Sequence, residues 1–100
     1  MAVLMMTQLP IGRSDIEALS ASMNVRNDPP PGLIIHTAYE EGGAVKVVDV
    51  WESEDAFREF AGGRLAQALQ RFAADRGLQL PEGGPDYTFQ QAFDVVQGGR

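Results

Sequence analysis

The chain has 100 residues, 44% of them hydrophobic and 8% aromatic, which is enough apolar material for one core and too little for two, so a single domain over residues 1–100 is expected. Eight Lys and Arg against fourteen Asp and Glu give a formal charge of -6, the wrong sign for phosphate backbones or anionic lipid, and neither nucleic acid nor membrane is an expected partner. With no cysteine and a single histidine, His36, disulfides are excluded and too few ligands remain for zinc; a soluble, cytoplasmic protein without metal is expected.

Ala2 to Gln8 is a short apolar run stopped by Leu9, Pro10 and Gly12, which predicts a first strand. Ser14 followed by Glu17 has the capping-box spacing, and Ile16, Leu19 and Met23 recur at helical intervals, predicting a helix over Asp15 to Asn24. Asn27 to Gly32, with three successive prolines, reads as an extended connector. Leu33 to Glu40 and Ala44 to Glu52 predict two strands of a hairpin turning at Glu41, Gly42 and Gly43. Ser53 is placed to cap a second helix, whose stripe from Phe57 and Phe60 through Leu65 and Leu69 to Phe72 ends at Gly77. Gly62 and Gly63 predict a kink or short break within it. A Pro- and Gly-rich loop from Leu80 to Pro85 leads to an alternating fourth strand, Tyr87 to Val96.

The order β-α-β-β-α-β predicts an α+β, ferredoxin-like fold: four antiparallel strands with both helices on one face. Alternation puts Val45, Val47, Asp49 and Trp51 on one side of the third strand and Ala44, Lys46, Val48 and Val50 on the other, so both faces carry apolar residues. Leu4 and Met6 oppose Val3 and Met5 in the same way. Two helices can cover only one face, and a second copy packed sheet on sheet is the simplest cover for the other. A homodimer through the sheet face is expected.

The segments Pro31-Gly32-Leu33-Ile34-Ile35-His36 and Val47-Val48-Asp49-Val50-Trp51-Glu52-Ser53-Glu54-Asp55-Ala56-Phe57, in this element order, resemble the dimeric α+β barrel superfamily and, within it, antibiotic biosynthesis monooxygenase-like domains. The resemblance implies an eight-stranded barrel made by two chains, with a cavity between helices and sheet in each. Relatives include cofactor-independent monooxygenases, haem-degrading enzymes, polyketide cyclases and proteins without a known reaction. Where the haem-degrading relatives carry an Asn on the first strand, a Trp in the second helix and a His beyond it, this chain has Thr7 or Gln8, Phe60, and Ala68 to Arg71. Haem is therefore not expected.

No Gly-x-Ser-x-Gly elbow accompanies His36, and Ser14 and Ser53 read as helix caps, so a serine nucleophile is not indicated. None of the glycine pairs has the spacing of a phosphate loop, and no nucleotide cofactor is indicated. His36, whose type titrates near neutrality, is a candidate proton acceptor, or a half-buried histidine hydrogen-bonded to a neighbouring strand or a carboxylate. Asp49, between Val48 and Val50, must be paired, hydrated or protonated; an arginine across the dimer is one partner, catalysis the other use. Alternation leaves open which of the two faces the helices. Trp51, Phe57 and Phe60 are core residues or the wall of a substrate site. Tyr39 and Arg64 complete the candidate binding set, with a cavity mouth expected near Gly62 and Gly63. These features give three readings. One is a cofactor-independent oxidoreductase acting on an aromatic or polyketide-like compound with His36 or Asp49 as base. Another is a cyclase or isomerase in the same cavity using the same base, and the third is a non-catalytic dimeric binding or stress-associated protein whose cavity is filled with side chains; for the first two the expected partner is a small apolar or aromatic ligand.

Overall fold

In the computed structural model, which describes residues 1–77 and 86–98, strands β1 (Val3–Leu9), β2 (Leu33–Glu41), β3 (Ala44–Trp51) and β4 (Thr88–Gln91) form one sheet in the order β2-β3-β1-β4. All three pairings are antiparallel. Helix α1 (Arg13–Met23) joins β1 to β2, and α2 (Glu54–Phe60), a π-helical turn (Ala61–Leu65) and α3 (Ala66–Arg76) follow β3 as one uninterrupted helical stretch. This is the ferredoxin-like α+β fold predicted from the sequence. The expected loop from Leu80 to Pro85 lies outside the described residues.

The strict burial alternation of β3 shows which face the helices cover. Val45, Val47, Asp49 and Trp51 are buried, while Ala44, Lys46, Val48 and Val50 are half-exposed. On the covered face Met5, Val45, Val47, Trp51 and Phe57 form the core, joined by Ile16 from α1 and Phe60 from α2. A second cluster, Leu19, Ala68 and Phe72, packs α1 against α3. Phe57 stands edge-on to Trp51 at 5.4 Å and to Tyr87 at 4.8 Å. Burying such a ring contributes about 1.5–3 kcal/mol, and each well-oriented aromatic pair about 0.5–1.5 kcal/mol more.

Several local expectations are corrected. Helix α1 starts two residues early, with Gly12 in the N-cap position and no side-chain cap. The capping box does not form, because Glu17 is held by Arg13 Nε at 2.8 Å instead of turning back to Ser14. Asn24 is not the last helical residue but the left-handed C-cap, a conformation that asparagine accepts more readily than most side chains. The irregularity expected at Gly62 and Gly63 is present, but as a π turn rather than a break, and the helix carries on to Gly77, which caps α3 at φ 65°. Ser53 caps α2 as predicted, its Oγ accepting from the Ala56 amide at 3.0 Å.

Strand β4 is shorter than predicted, ending at Gln91 rather than Val96. Its partner runs out first. Gln91 pairs with Val3, the first residue of β1, and one further bond joins the Ala92 amide to the Ala2 carbonyl. Beyond that point Phe93 and Val96 are exposed, and Gln97 Nε2 donates to the Ile34 carbonyl at 3.1 Å.

The Pro31-Gly32 junction has a steric explanation. Gly32 takes φ +88°, a Cβ there would stand 2.6 Å from Ala56 Cβ, and its carbonyl accepts from the Glu52 amide at 2.7 Å. Only a residue without a side chain lets the start of β2 approach α2 so closely.

Candidate functional site

The site is built from adjacent positions on β2 and β3. In the ladder His36 lies opposite Asp49 and Ala38 opposite Val47, while Leu33 lies opposite Trp51 and Ile35 opposite Val50. The register shifts between Leu33 and Ile35, leaving Ile34 without a cross-strand partner. This bulge gives Leu33 and His36, three residues apart, the same helix-facing side, which unbroken alternation forbids. His36 and Asp49 therefore both face the helices.

Three polar groups then line up on an apolar floor. His36 Nδ1 and Asp49 Oδ1 are 2.7 Å apart, and Trp51 Nε1 donates to Asp49 Oδ2 at 3.1 Å. Both carboxylate oxygens are engaged, and no buried side-chain nitrogen or oxygen among the described residues lacks a partner. Asp49 is held by His36 and Trp51 of its own chain, so the arginine expected across a dimer is not needed to satisfy it. Exposure rises along the series: the Asp49 side chain is 7% accessible and that of His36 38%. The tautomer that donates Nδ1–H to the carboxylate leaves Nε2 for a molecule alongside the ring.

That neighbouring space is a cavity of about 1120 Å³ between the helices and the sheet. Its sheet side includes Met5, Val47, Asp49, Trp51 and His36, and its helix side includes Ile16, Phe57, Phe60, Leu65 and Leu69. Most of the surface is apolar, and its polar groups include the hydrogen-bonded acid and imidazole together with Arg13, Glu17, Arg26 and Glu40, a lining suited to a small organic molecule. Burial pushes the Tyr87 phenol, also in the lining, above its ordinary value of 10.0.

The remaining predicted site residues divide. Trp51 and Phe57, each 1% exposed, belong to the core and contribute to the cavity floor. Phe60, 5.5 Å from Trp51, extends that floor. Tyr39 is 49% exposed and in register with Lys46 on the outer face, although it also borders the cavity. Arg64 is not part of the lining. Its Nη1 donates to the carbonyls of Met23 at 3.2 Å and Asp28 at 2.7 Å, and its Nη2 is 3.5 Å from the Asp28 carboxylate. It anchors the end of α1 and the following loop. Gly62 and Gly63 are likewise absent from the lining, which corrects the expected mouth. The wall is instead completed by Asn24, Val25, Arg26 and Asn27, which run from the expected end of the first helix to the expected start of the connector. Among the described residues no three His, Cys, Asp or Glu side chains converge as a metal site would require.

No protein-family model matches the sequence, and no curated protein matches it. Solved structures do. Rv0793 from Mycobacterium tuberculosis superposes with a TM-score of 0.62 at 20% identity, over 97% of this chain and 100% of its own. SnoaB, a cofactor-independent oxygenase from Streptomyces nogalater, superposes at 0.57 and 20% identity, over 97% and 98%. A structure from Caulobacter crescentus, provisionally described as an antibiotic biosynthesis monooxygenase, superposes at 0.62 and 16% identity, over 93% and 91%. The chain has the fold of these proteins along almost its whole length, which bears out the resemblance to antibiotic biosynthesis monooxygenase-like domains at the level of the fold.

Proposed function

We propose that this protein is a small-molecule enzyme in which His36 Nε2 accepts a proton from an aromatic or polyketide-like compound held in the cavity, with Asp49 orienting the imidazole. The observation that carries this reading is the 2.7 Å contact between His36 Nδ1 and a nearly inaccessible Asp49 on the cavity face. A carboxylate on one ring nitrogen fixes the direction of the imidazole, and a positioned base contributes about 10²–10⁴ in rate. His36 and Asp49 are the proposed catalytic pair. Trp51, Phe57, Phe60 and the edge of Tyr39 are the proposed binding surface, and Arg64 acts by holding the wall.

The similarity of the fold to a cofactor-independent oxygenase favours oxidation over isomerisation. Removing a proton from a ring CH2 beside a phenol leaves an electron-rich carbanion that dioxygen can oxidise directly. The CH2 becomes a carbonyl, one oxygen atom entering the product and the other leaving as water. This step consumes only the carbanion, a proton and dioxygen, and needs no metal, flavin or haem.

We further propose that the outer face is covered by a second copy. Leu4, Met6, Ile35, Val48 and Val50 share that face by register, and Ile35 is 50% exposed. No helix among the described residues is long and apolar enough to cross a membrane. The absence of cysteine fits a reducing, cytoplasmic setting.

Oxygen uptake in the presence of a hydroxyanthrone, a tricyclic phenolic ketone with one reactive ring CH2, tests the function. Turnover in air that stops under nitrogen, and falls about 10²-fold or more in His36→Ala, supports the reading. Conversion that persists without oxygen identifies a cyclase or isomerase, and equal turnover in wild type and His36→Ala removes His36 as the base.

A further inference from the structure

Two side chains are hydrogen-bonded to the Asp49 carboxylate, and His36 is one of them. The other is Trp51, two residues along the same strand and on the same buried face. Its ring is 1% exposed, edge-on to Phe57 at 5.4 Å and beside Phe60 at 5.5 Å, so the direction of its N–H is set by packing on both sides. On the other flank of Asp49 the opposing residue of β1 is Met5, also buried, whose thioether has no hydrogen to donate. The indole is thus the donor that can pin Oδ2.

Pinning matters because the terminal torsion of an aspartate is broad and two-fold. A carboxylate held at one oxygen presents the other in a fixed direction, and here that oxygen is 2.7 Å from His36 Nδ1. An unpinned carboxylate can turn and release the ring, which then has no reason to keep its proton on Nδ1.

We propose that Trp51 is a positioning residue: its indole N–H fixes the Asp49 carboxylate and thereby holds His36 as the Nδ1–H tautomer, with the lone pair on Nε2 for the cavity. The proposal rests on the reading of His36 as the proton acceptor and extends it by one residue. A purely structural account, in which a buried indole simply finds an acceptor, requires the same contact but no effect on the imidazole.

The chain contains one histidine and one tryptophan, so each ring gives one unambiguous set of signals. Long-range proton–nitrogen spectra of the neutral imidazole read its tautomer directly, whether or not a substrate is known. Wild type is expected to show a single species with Nδ1 protonated. Trp51→Phe keeps an aromatic ring in the Phe57–Phe60 cluster but lacks the N–H, and is expected to lose that single-tautomer signature and gain Nε2–H population. A folded Trp51→Phe protein with the wild-type tautomer overturns the proposal and leaves the His36 reading intact. A wild-type imidazole protonated on Nε2 overturns the His36 reading itself. A second variant covers the case in which Trp51→Phe does not fold. Asp49→Asn is expected to shift the indole Nε1–H and the imidazole signals together, and movement of either one alone overturns the connection.

Discussion

His36 and Asp49 are thirteen residues apart in the chain and 2.7 Å apart in space, one on an edge strand and the other on its inner neighbour. The pair joins an accessible ring to a buried acid. Its two ends therefore respond differently to mutation. His36→Ala leaves Asp49 Oδ1 without its partner, and a loss of about 1–3 kcal/mol is expected from urea denaturation. His36→Gln, which can still place a donor near Oδ1, should recover part of that stability while turning over as slowly as His36→Ala.

Gly32 and Gly62 make a contrasting pair. Alanine at Gly32 combines a left-handed backbone with the 2.6 Å approach to Ala56, and a loss of about 2 kcal/mol or more is expected. Alanine at Gly62 meets nothing within 4 Å, and a gain of up to about 1 kcal/mol is expected from its better helix propensity. Thermal unfolding of the two variants beside wild type checks both signs.

Replacing Arg64 by Met keeps much of the aliphatic stem and removes the donors that hold the Met23 and Asp28 carbonyls. Amide hydrogen exchange is expected to accelerate at Asp28, whose own amide donates to the Asn24 carbonyl at 2.9 Å, with little change at Val47 in the central strands. Equal protection in both proteins would show that the loop does not depend on this anchor.

Stability should fall at alkaline pH, in part because of Tyr87. Burial raises its phenol above 10.0, so between that value and the higher folded one the unfolded chain gives up the proton first and unfolding is favoured. The stabilisation is complete below about pH 10 and is lost as pH rises through the folded value. Tyr87→Phe should flatten this decline. Comparison with wild type isolates Tyr87 from Lys46, whose ammonium is held up by Glu41 in the same alkaline range.

Val50 lies between Leu4 and Ile35 on the outer face, at the centre of the apolar area assigned to a second copy. Sedimentation is expected to give a dimer for wild type at micromolar concentration and a monomer for Val50→Glu, because an unpaired carboxylate in an apolar interface costs several kcal/mol. A wild-type monomer would refute the proposed assembly.

The element order was legible in the sequence because each element carries a local signal: alternation in Ala44 to Trp51, the stripe from Phe57 to Phe72, and Ser53 and Gly77 at the helix ends. The face that His36 shares was not. It depends on the bulge at Ile34, and Ile34-Ile35 reads like any other β-branched pair. The start of α1 was misplaced for a related reason, since Ser14 and Glu17 have the right spacing but Arg13 competes for the carboxylate. The cavity wall at Asn24 to Asn27 has no periodic signature. Its position comes from Arg64, more than thirty residues downstream by sequence, and that contact is invisible until the helices are packed.

The π turn is one surplus residue in an otherwise regular helix, and a surplus residue rotates everything after it by about 100°. Before the turn Phe57 and Phe60 address the sheet; after it Ala68 and Phe72 address α1. The turn thus works as a crank, letting a single helix serve two partners that do not lie along one straight stripe. Deleting Gly62 would remove the crank without removing any side chain. The two halves of the helix would then compete for one orientation, with Leu65 and Leu69 swung away from the cavity or Phe72 from α1.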